Sequence, residues 1–313
     1  MTSGDHPTAD APAVIAIFGP TGIGKTAVAI ALAQRLRARG EDPVAVSVDS
    51  MQVYRELPII TGAPTAEQQV LLEHRLIGSI SVADRYDVAR HAKAAHREID
   101  ELRADGRRPI VVGGTGLYLR AALTELDLMP PPTEGTRERL ISELEIDGQE
   151  AMYERLTEQD PAVAASIKPG DARRTLRALE ALEQGESASG RDQNRLWTDE
   201  TRVPTHLFAL TMDRDQLYAR IEARVDEMIE LGARSEVIGA QSLAGQTARQ
   251  ALGFSELVSD DVDSLKTNTR RYAKRQLTWL RKLSGAVEID VTSADAEAVA
   301  DAIVRQIREP RTG

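Results

Sequence analysis

The chain has 313 residues, 42% hydrophobic and 28% charged, a length suited to two domains or to one large α/β domain carrying an insertion. It contains no cysteine, which excludes disulfides, zinc–thiolate centres, iron–sulfur clusters and cysteine nucleophiles and agrees with a cytoplasmic location. A formal charge of −10 argues on average against nucleic acid as a partner, although a local basic stripe on an acidic protein can still bind a phosphate backbone.

The opening residues 1–12, MTSGDHPTADAP, are polar and acidic with no apolar segment, and read as a disordered tail rather than a signal peptide. No window approaches the roughly 18 apolar residues of a membrane span, so no membrane partner is expected. AVIAIF (13–18) is a short apolar run consistent with a buried strand. It is followed by GPTGIGKT and then by apolar residues at helical spacing from Lys25 to Arg39, stopping at Gly40. Strand, glycine loop and helix together form a phosphate cradle, the P-loop. Gly19, Pro20, Thr21, Gly22, Ile23 and Gly24 wrap the backbone so that N–H groups face an anion, Lys25 adds a positive charge, and Thr26 a hydroxyl suited to Mg²⁺.

VAVSV (44–48) predicts a second strand running straight into DSMQVY, which puts Asp49, Ser50, Met51 and Gln52 at the carboxyl edge of the sheet beside the cradle. An aspartate there can order metal-bound water, take a proton, or simply cap a helix. Val88–Arg103 predicts a helix, and RPIVVGGTGLYLRAAL a third strand, a glycine turn carrying Thr115 to the same edge, and another helix. After a proline-rich break, LDLMPPPTEG, residues 124–203 show no strand and read as short helices rich in Glu and Arg. VPTHLFALTM (203–212) restores a strand, followed by a helix over 216–231, a basic helix over 269–283, a strand AVEID and an amphipathic C-terminal helix. The expected fold is α/β: a P-loop NTPase-like parallel sheet flanked by helices, its core split into 13–123 and 204–313 by an all-helical insertion at 124–203.

The cradle does not name the reaction. N-K-x-D, which a GTPase would use to read guanine, is absent, and AVSVDS is a loose Walker B candidate that also suits a small-molecule kinase. The five histidines show no metal-ligand spacing and read as ordinary surface or core residues. Arg173, Arg174 and Arg177 in DARRTLRALE share a helical segment, and no acid occurs in 266–283, which holds Arg270, Arg271, Lys274, Arg275, Arg281 and Lys282. Trp279 and Leu280 in that segment are expected in the core.

GPTGIGKT, DSMQVYREL, VVGGTGLYLRAAL and RRYAKRQLTWLRKL, in this order, resemble the tRNA dimethylallyltransferase family over Val14 to about Leu283. The resemblance implies transfer of a dimethylallyl group from dimethylallyl diphosphate to the 6-amino group of adenosine 37, beside the anticodon, with Mg²⁺. It implies that the cradle holds the leaving diphosphate, that Asp49 accepts the amine proton, that Thr115 positions the reacting centre, and that Gln52 meets the adenine edge. It further implies tRNA contacts at Asp49, Ser50, Met51, Gln52 and Thr115 around the target base and at Arg137, Arg173, Arg174 and Arg177, contributions from Arg249 or Gln250 in TARQALGFSE, and a monomer. Three positions depart from the family text: Pro58 stands where aspartate is usual, Ala63 where lysine is usual, and Gly78 where many bacterial members carry aspartate. Gly at the last place also suits adenylate isopentenyltransferases acting on free nucleotides, so that acceptor stays an alternative, as more remotely do a small-molecule kinase and a non-catalytic RNA-binding module. The basic RRYAKRQLTWLR helix and the insertion favour tRNA.

Overall fold

The structure, a computed structural model, describes residues 11–128, 133, 135–186 and 196–308; most of the expected N-terminal tail and part of the proline-rich break lie outside these. The chain divides into two compact units, Met1–Glu125 with Leu196–Gly313, and Leu126–Arg195.

The first unit opens with β1 (Val14–Phe18), α1 (Lys25–Arg37), β2 (Pro43–Ser47), the short α2 (Pro58–Thr61) and α3 (Ala66–Leu71), and a two-residue β3 (His74–Arg75). It continues through α4 (Val88–Ala104), β4 (Arg108–Gly113) and α5 (Gly116–Leu123). The second unit holds α6 (Thr136–Gln159), α7 (Pro161–Ser166) and α8 (Ala172–Glu183). The chain then returns through β5 (Thr205–Thr211), α9 (Arg214–Glu230), α10 (Ala233–Ala240), α11 (Phe254–Val258), α12 (Val262–Leu280), β6 (Val287–Asp290) and α13 (Ala296–Arg308).

The six strands form one sheet in the order β3-β2-β4-β1-β5-β6, every pair parallel. β1 is fully buried because side chains of successive strand residues point to opposite faces and both faces are covered. Ile15 and Ile17 join α1, α9 and α13 through Leu32, Ile221 and Ile303. Val14, Ala16 and Phe18 join α4, α5 and α12 through Ile99, Leu119 and Leu280. Leu280 is therefore core, as expected, and Trp279 packs against the same cluster. A third cluster, with Tyr54, Tyr86, Val237 and Phe254, supports the segments beyond the carboxyl ends of the strands.

In the second unit the helices close on Leu140, Met152, Leu156, Val163 and Leu179. The sequence predicts several short helices there, and α6 is itself two helical stretches that meet at a kink at Gly148, whose φ of 82° leaves the helical region. The unit boundary falls at 195 rather than 203. Leu196–Val203 already belong with the sheet, since Trp197 stacks on Trp279 at 4.7 Å and Arg202 pairs with Asp100 at 2.7 Å. α12 likewise starts at Val262 rather than 269, because the Asp261 carboxylate caps it by accepting from Ser264 N. Among the described residues no helix is long and apolar enough to cross a membrane.

Candidate active site

β1 ends at Phe18, and the loop that follows turns sharply into α1. Gly24 makes that turn with φ 98°, a left-handed conformation that a side chain would strain, and serves as the N-cap. The first N–H groups of α1 have no intrahelical acceptor, so the helix presents donors and the positive end of its dipole at one spot. Lys25 Nζ folds back onto the loop, donating to the carbonyls of Gly19 and Pro20 at 2.9 Å each. Burial of its ammonium and the nearby Arg224 guanidinium push its pKa down to about 7, while Asp49 opposes the shift. An anion in the loop would replace the two carbonyls as partner and favour the charged form.

The loop opens on a cleft of about 950 Å³ lined by Thr21, Gly22, Gly24, Lys25 and Thr26. Ile23 does not face it: the side chain is 2% exposed and packs in the core. Gly19 and Pro20 contribute their carbonyls to Lys25 instead of surface to the cleft.

Asp49, Ser50, Met51 and Gln52 follow β2 and line the same cleft. Asp49 caps no helix. Its Oδ1 closes a turn, accepting from Met51 N at 2.9 Å, and no hydrogen bond among the described residues engages Oδ2. Gln52, expected at the adenine edge, is committed within the protein: Oε1 accepts from Ser47 Oγ at 2.8 Å and Nε2 donates to the Gly62 carbonyl at 3.1 Å. Its amide ties β2 to the end of α2, so meeting a base would require exchange of these bonds.

Thr115 caps α5 without using its hydroxyl for the cap. Thr115 Oγ1 lies 3.2 Å from Tyr272 Oη, and Tyr272, not Thr115, lines the cleft. Burial, reinforced by Asp49, raises the Tyr272 pKa to about 12, so its proton stays on. The Gly113–Gly114 turn is glycine by close approach: a Cβ on Gly114 would lie 2.8 Å from the Gly19 carbonyl oxygen and 2.3 Å from Gln276 Nε2.

Three contributors escape the reading of the sequence. Arg220 and Arg224, one helical turn apart on α9, line the cleft. Arg224 lies against Gly62, with its pKa lowered by burial and supported by Asp49 and Glu227. The signal is available in YARIEARVD, whose i,i+4 arginines follow a strand, but nothing in the sequence says which face of α9 looks toward the cradle. Gln276 on α12 is the third.

The remaining expected residues divide. Gln250 lines the cleft, whereas Arg249 is spent on the carbonyls of Ala244 and Gln241 at 2.8 and 2.6 Å, stapling its own turn. In the second unit, Arg137 and Arg177 converge on Glu180, which is 1% exposed, so their charge first serves to neutralise a buried carboxylate. Arg173 and Arg174 are exposed on the same helix, Arg174 only 3.6 Å from Asp171. On α12, Arg270 pairs with Glu222, while Arg271, Lys274 and Arg275 are exposed. Ala63 and Pro58, two of the departures, line the cleft. The α2 amides of Ile59 and Ile60 are capped by the Glu236 carboxylate at 2.8–3.1 Å.

No group of three or more His, Asp or Glu fit to hold a metal occurs among the described residues. Thr26 and Asp49 both line the cleft, a donor set that suits Mg²⁺ when substrate phosphates and water complete the shell.

A family model described as IPP transferase matches residues 52–283. The tRNA dimethylallyltransferase of Symbiobacterium thermophilum is 38% identical over 309 residues, covering 95% of this chain and 95% of that protein. That of Natranaerobius thermophilus is 35% identical over 311 residues, covering 94% and 91%. Among solved structures, the tRNA isopentenylpyrophosphate transferase of Bacillus halodurans superposes with a TM-score of 0.67 at 34% identity, covering 94% of this chain and 95% of that one. A eukaryotic dimethylallyltransferase solved acting on tRNA gives 0.73 at 26% identity, covering 96% and 81%. On sequence and fold alike, this chain belongs to the IPP transferase family.

Proposed function

We propose that the protein is a transferase that moves a dimethylallyl group from dimethylallyl diphosphate to the exocyclic amine of adenosine 37 in tRNA. The observation that carries the reading is one cleft lined by both halves of the chemistry, the phosphate loop and the Asp49 carboxylate.

The amine nitrogen attacks the allylic carbon, the carbon–oxygen bond breaks, diphosphate departs and the amine gives up a proton. Charge develops on the leaving diphosphate, and the α1 amides, Lys25, Arg220 and Arg224 are the groups that would stabilise it. Mg²⁺, which the Thr26 hydroxyl would help hold together with the diphosphate, would supply Lewis-acid stabilisation of that same charge. Asp49, whose Oδ2 makes no hydrogen bond among the described residues, takes the proton. Tyr272 and Thr115 form a hydroxyl pair on the acceptor side. The target base must leave its stack to enter such a cleft. The exposed basic faces of α8 and α12 suit the phosphate backbone. A cytoplasmic monomer is the setting we propose.

Labelled dimethylallyl diphosphate offered in parallel to an anticodon stem-loop and to AMP tests the reading. Label in the stem-loop alone supports it. Label in AMP alone assigns a free-nucleotide acceptor, and label in neither, with ATP consumed instead, returns the chain to the small-molecule kinases. Asp49→Asn should abolish transfer while leaving RNA affinity intact; equal loss of both removes Asp49 as the base.

A further inference from the structure

One helix grips both halves of the cleft. At spacings of four and three residues, Tyr272, Gln276 and Trp279 lie on one face of α12. Tyr272 Oη meets Thr115 Oγ1 at 3.2 Å. The Trp279 ring covers Gly116 so closely that a Cβ there would sit 2.4 Å from it. Between them, Gln276 is 4% exposed and its amide is divided between two loops. Oε1 accepts from Thr21 N in the phosphate loop at 2.8 Å, and Nε2 donates to the Gly114 carbonyl in the acceptor-side turn at 2.9 Å. A backbone N–H can only donate and a carbonyl can only accept, so the orientation of this amide is dictated by its surroundings. The phosphate loop and the Gly113–Gly114 turn belong to neighbouring strands, β1 and β4, whose pairing fixes the sheet but not the loops beyond it.

We propose that Gln276 is a positioning residue that sets the spacing between the diphosphate-holding loop and the acceptor-side turn. This rests on the prenyl-transfer reading above. Bond formation between an amine and an allylic carbon needs the two reactants near van der Waals contact and in line, and a misplacement of about 1 Å can cost on the order of 10²-fold in rate. Both ends of its amide are taken up by the two loops. It acts by holding Thr21 and Gly114 to one side chain, so its loss should lower turnover without loosening either substrate.

The test is Gln276→Met, which keeps the shape and removes both hydrogen bonds. Three quantities are compared with the unaltered protein: kcat for prenyl transfer to a stem-loop, the Kd of inorganic diphosphate and the Kd of the stem-loop. The expected result is a kcat lower by on the order of 10²-fold, with both dissociation constants within about threefold, a change of less than 1 kcal/mol. Retained diphosphate binding also reports a folded cleft. An undiminished kcat, or a diphosphate affinity that falls as far as kcat does, overturns the proposal. Failure of the unaltered protein to transfer at all overturns the reading beneath it, and is seen in the control arm alone.

Discussion

Lys25 should destabilise the protein that contains it, and Lys25→Met should therefore raise the melting temperature while destroying the cradle. Burial lowers its pKa from 10.5 to about 7. At about 1.36 kcal/mol per unit, the protonated form carries a folding penalty of at most roughly 5 kcal/mol at pH 6, an upper bound because Lys25 is half-buried and lines a cleft that water enters. The two hydrogen bonds to the Gly19 and Pro20 carbonyls offset about 1 kcal/mol each, leaving at most about 3 kcal/mol to be recovered by the substitution. The sign follows from proton binding. Between pH 7 and 10.5 the unfolded chain holds a proton that the folded one has lost, so stability rises with pH across that window and the penalty is complete below it. At pH 9 the penalty has fallen to about 2 kcal/mol, which the lost hydrogen bonds cancel. Thermal unfolding of both proteins at pH 6 and pH 9, without ligand, should show the variant melting several degrees higher at pH 6, at about 2–4 °C per kcal/mol, and level at pH 9. Diphosphate should then stabilise the parent and not the variant. A gap of the same size at both pH values would exclude a buried charge as its cause, because a loss of contacts alone does not titrate.

Gly114→Ala places a methyl 2.8 Å from a backbone oxygen that cannot yield, and should cost about 1–3 kcal/mol in a denaturant titration; an unchanged midpoint would contradict the close approach of the two loops. Arg173→Glu with Arg174→Glu should weaken stem-loop binding and flatten its salt dependence without altering the melting temperature. Arg137→Ala should do the reverse in emphasis, destabilising α6 and α8 by about 1–3 kcal/mol because buried Glu180 loses one of its two arginines; wild-type stability would show that Arg177 suffices. His91 is fully buried with its pKa lowered to about 3, chiefly by burial, so only the unfolded chain takes up its proton below pH 6.5 and stability falls with acidification. His91→Phe should remove about 2 kcal/mol of that loss between pH 7.5 and 5, measured by urea unfolding at the two pH values, and parallel slopes would exclude His91 as the cause.

What is local can be read from the order of residues. The phosphate loop was legible because strand, glycines, Lys25 and helix are contiguous, and each is required by backbone geometry within a dozen residues. The parallel sheet was legible in the alternation of apolar runs with helical spacing, and Asp49 in its position directly after β2. Family membership rested on four such segments in order. Contacts between distant segments follow from packing. Arg224 faces the cradle because α9 packs beside α12 on the far end of the chain, which no periodicity on α9 reveals. Gln52, a good adenine partner by side-chain chemistry, is taken up by Ser47 and Gly62, and Arg249 by its own turn, since buried donors and acceptors must be satisfied by whatever the fold brings near. Arg137 and Arg177 read as a basic surface, yet they converge on a glutamate that lies 43 and 3 residues away. Thr115 stands behind Tyr272, and Gln276 spans 255 residues to reach Thr21, a hydrogen bond that exists only once the sheet has closed.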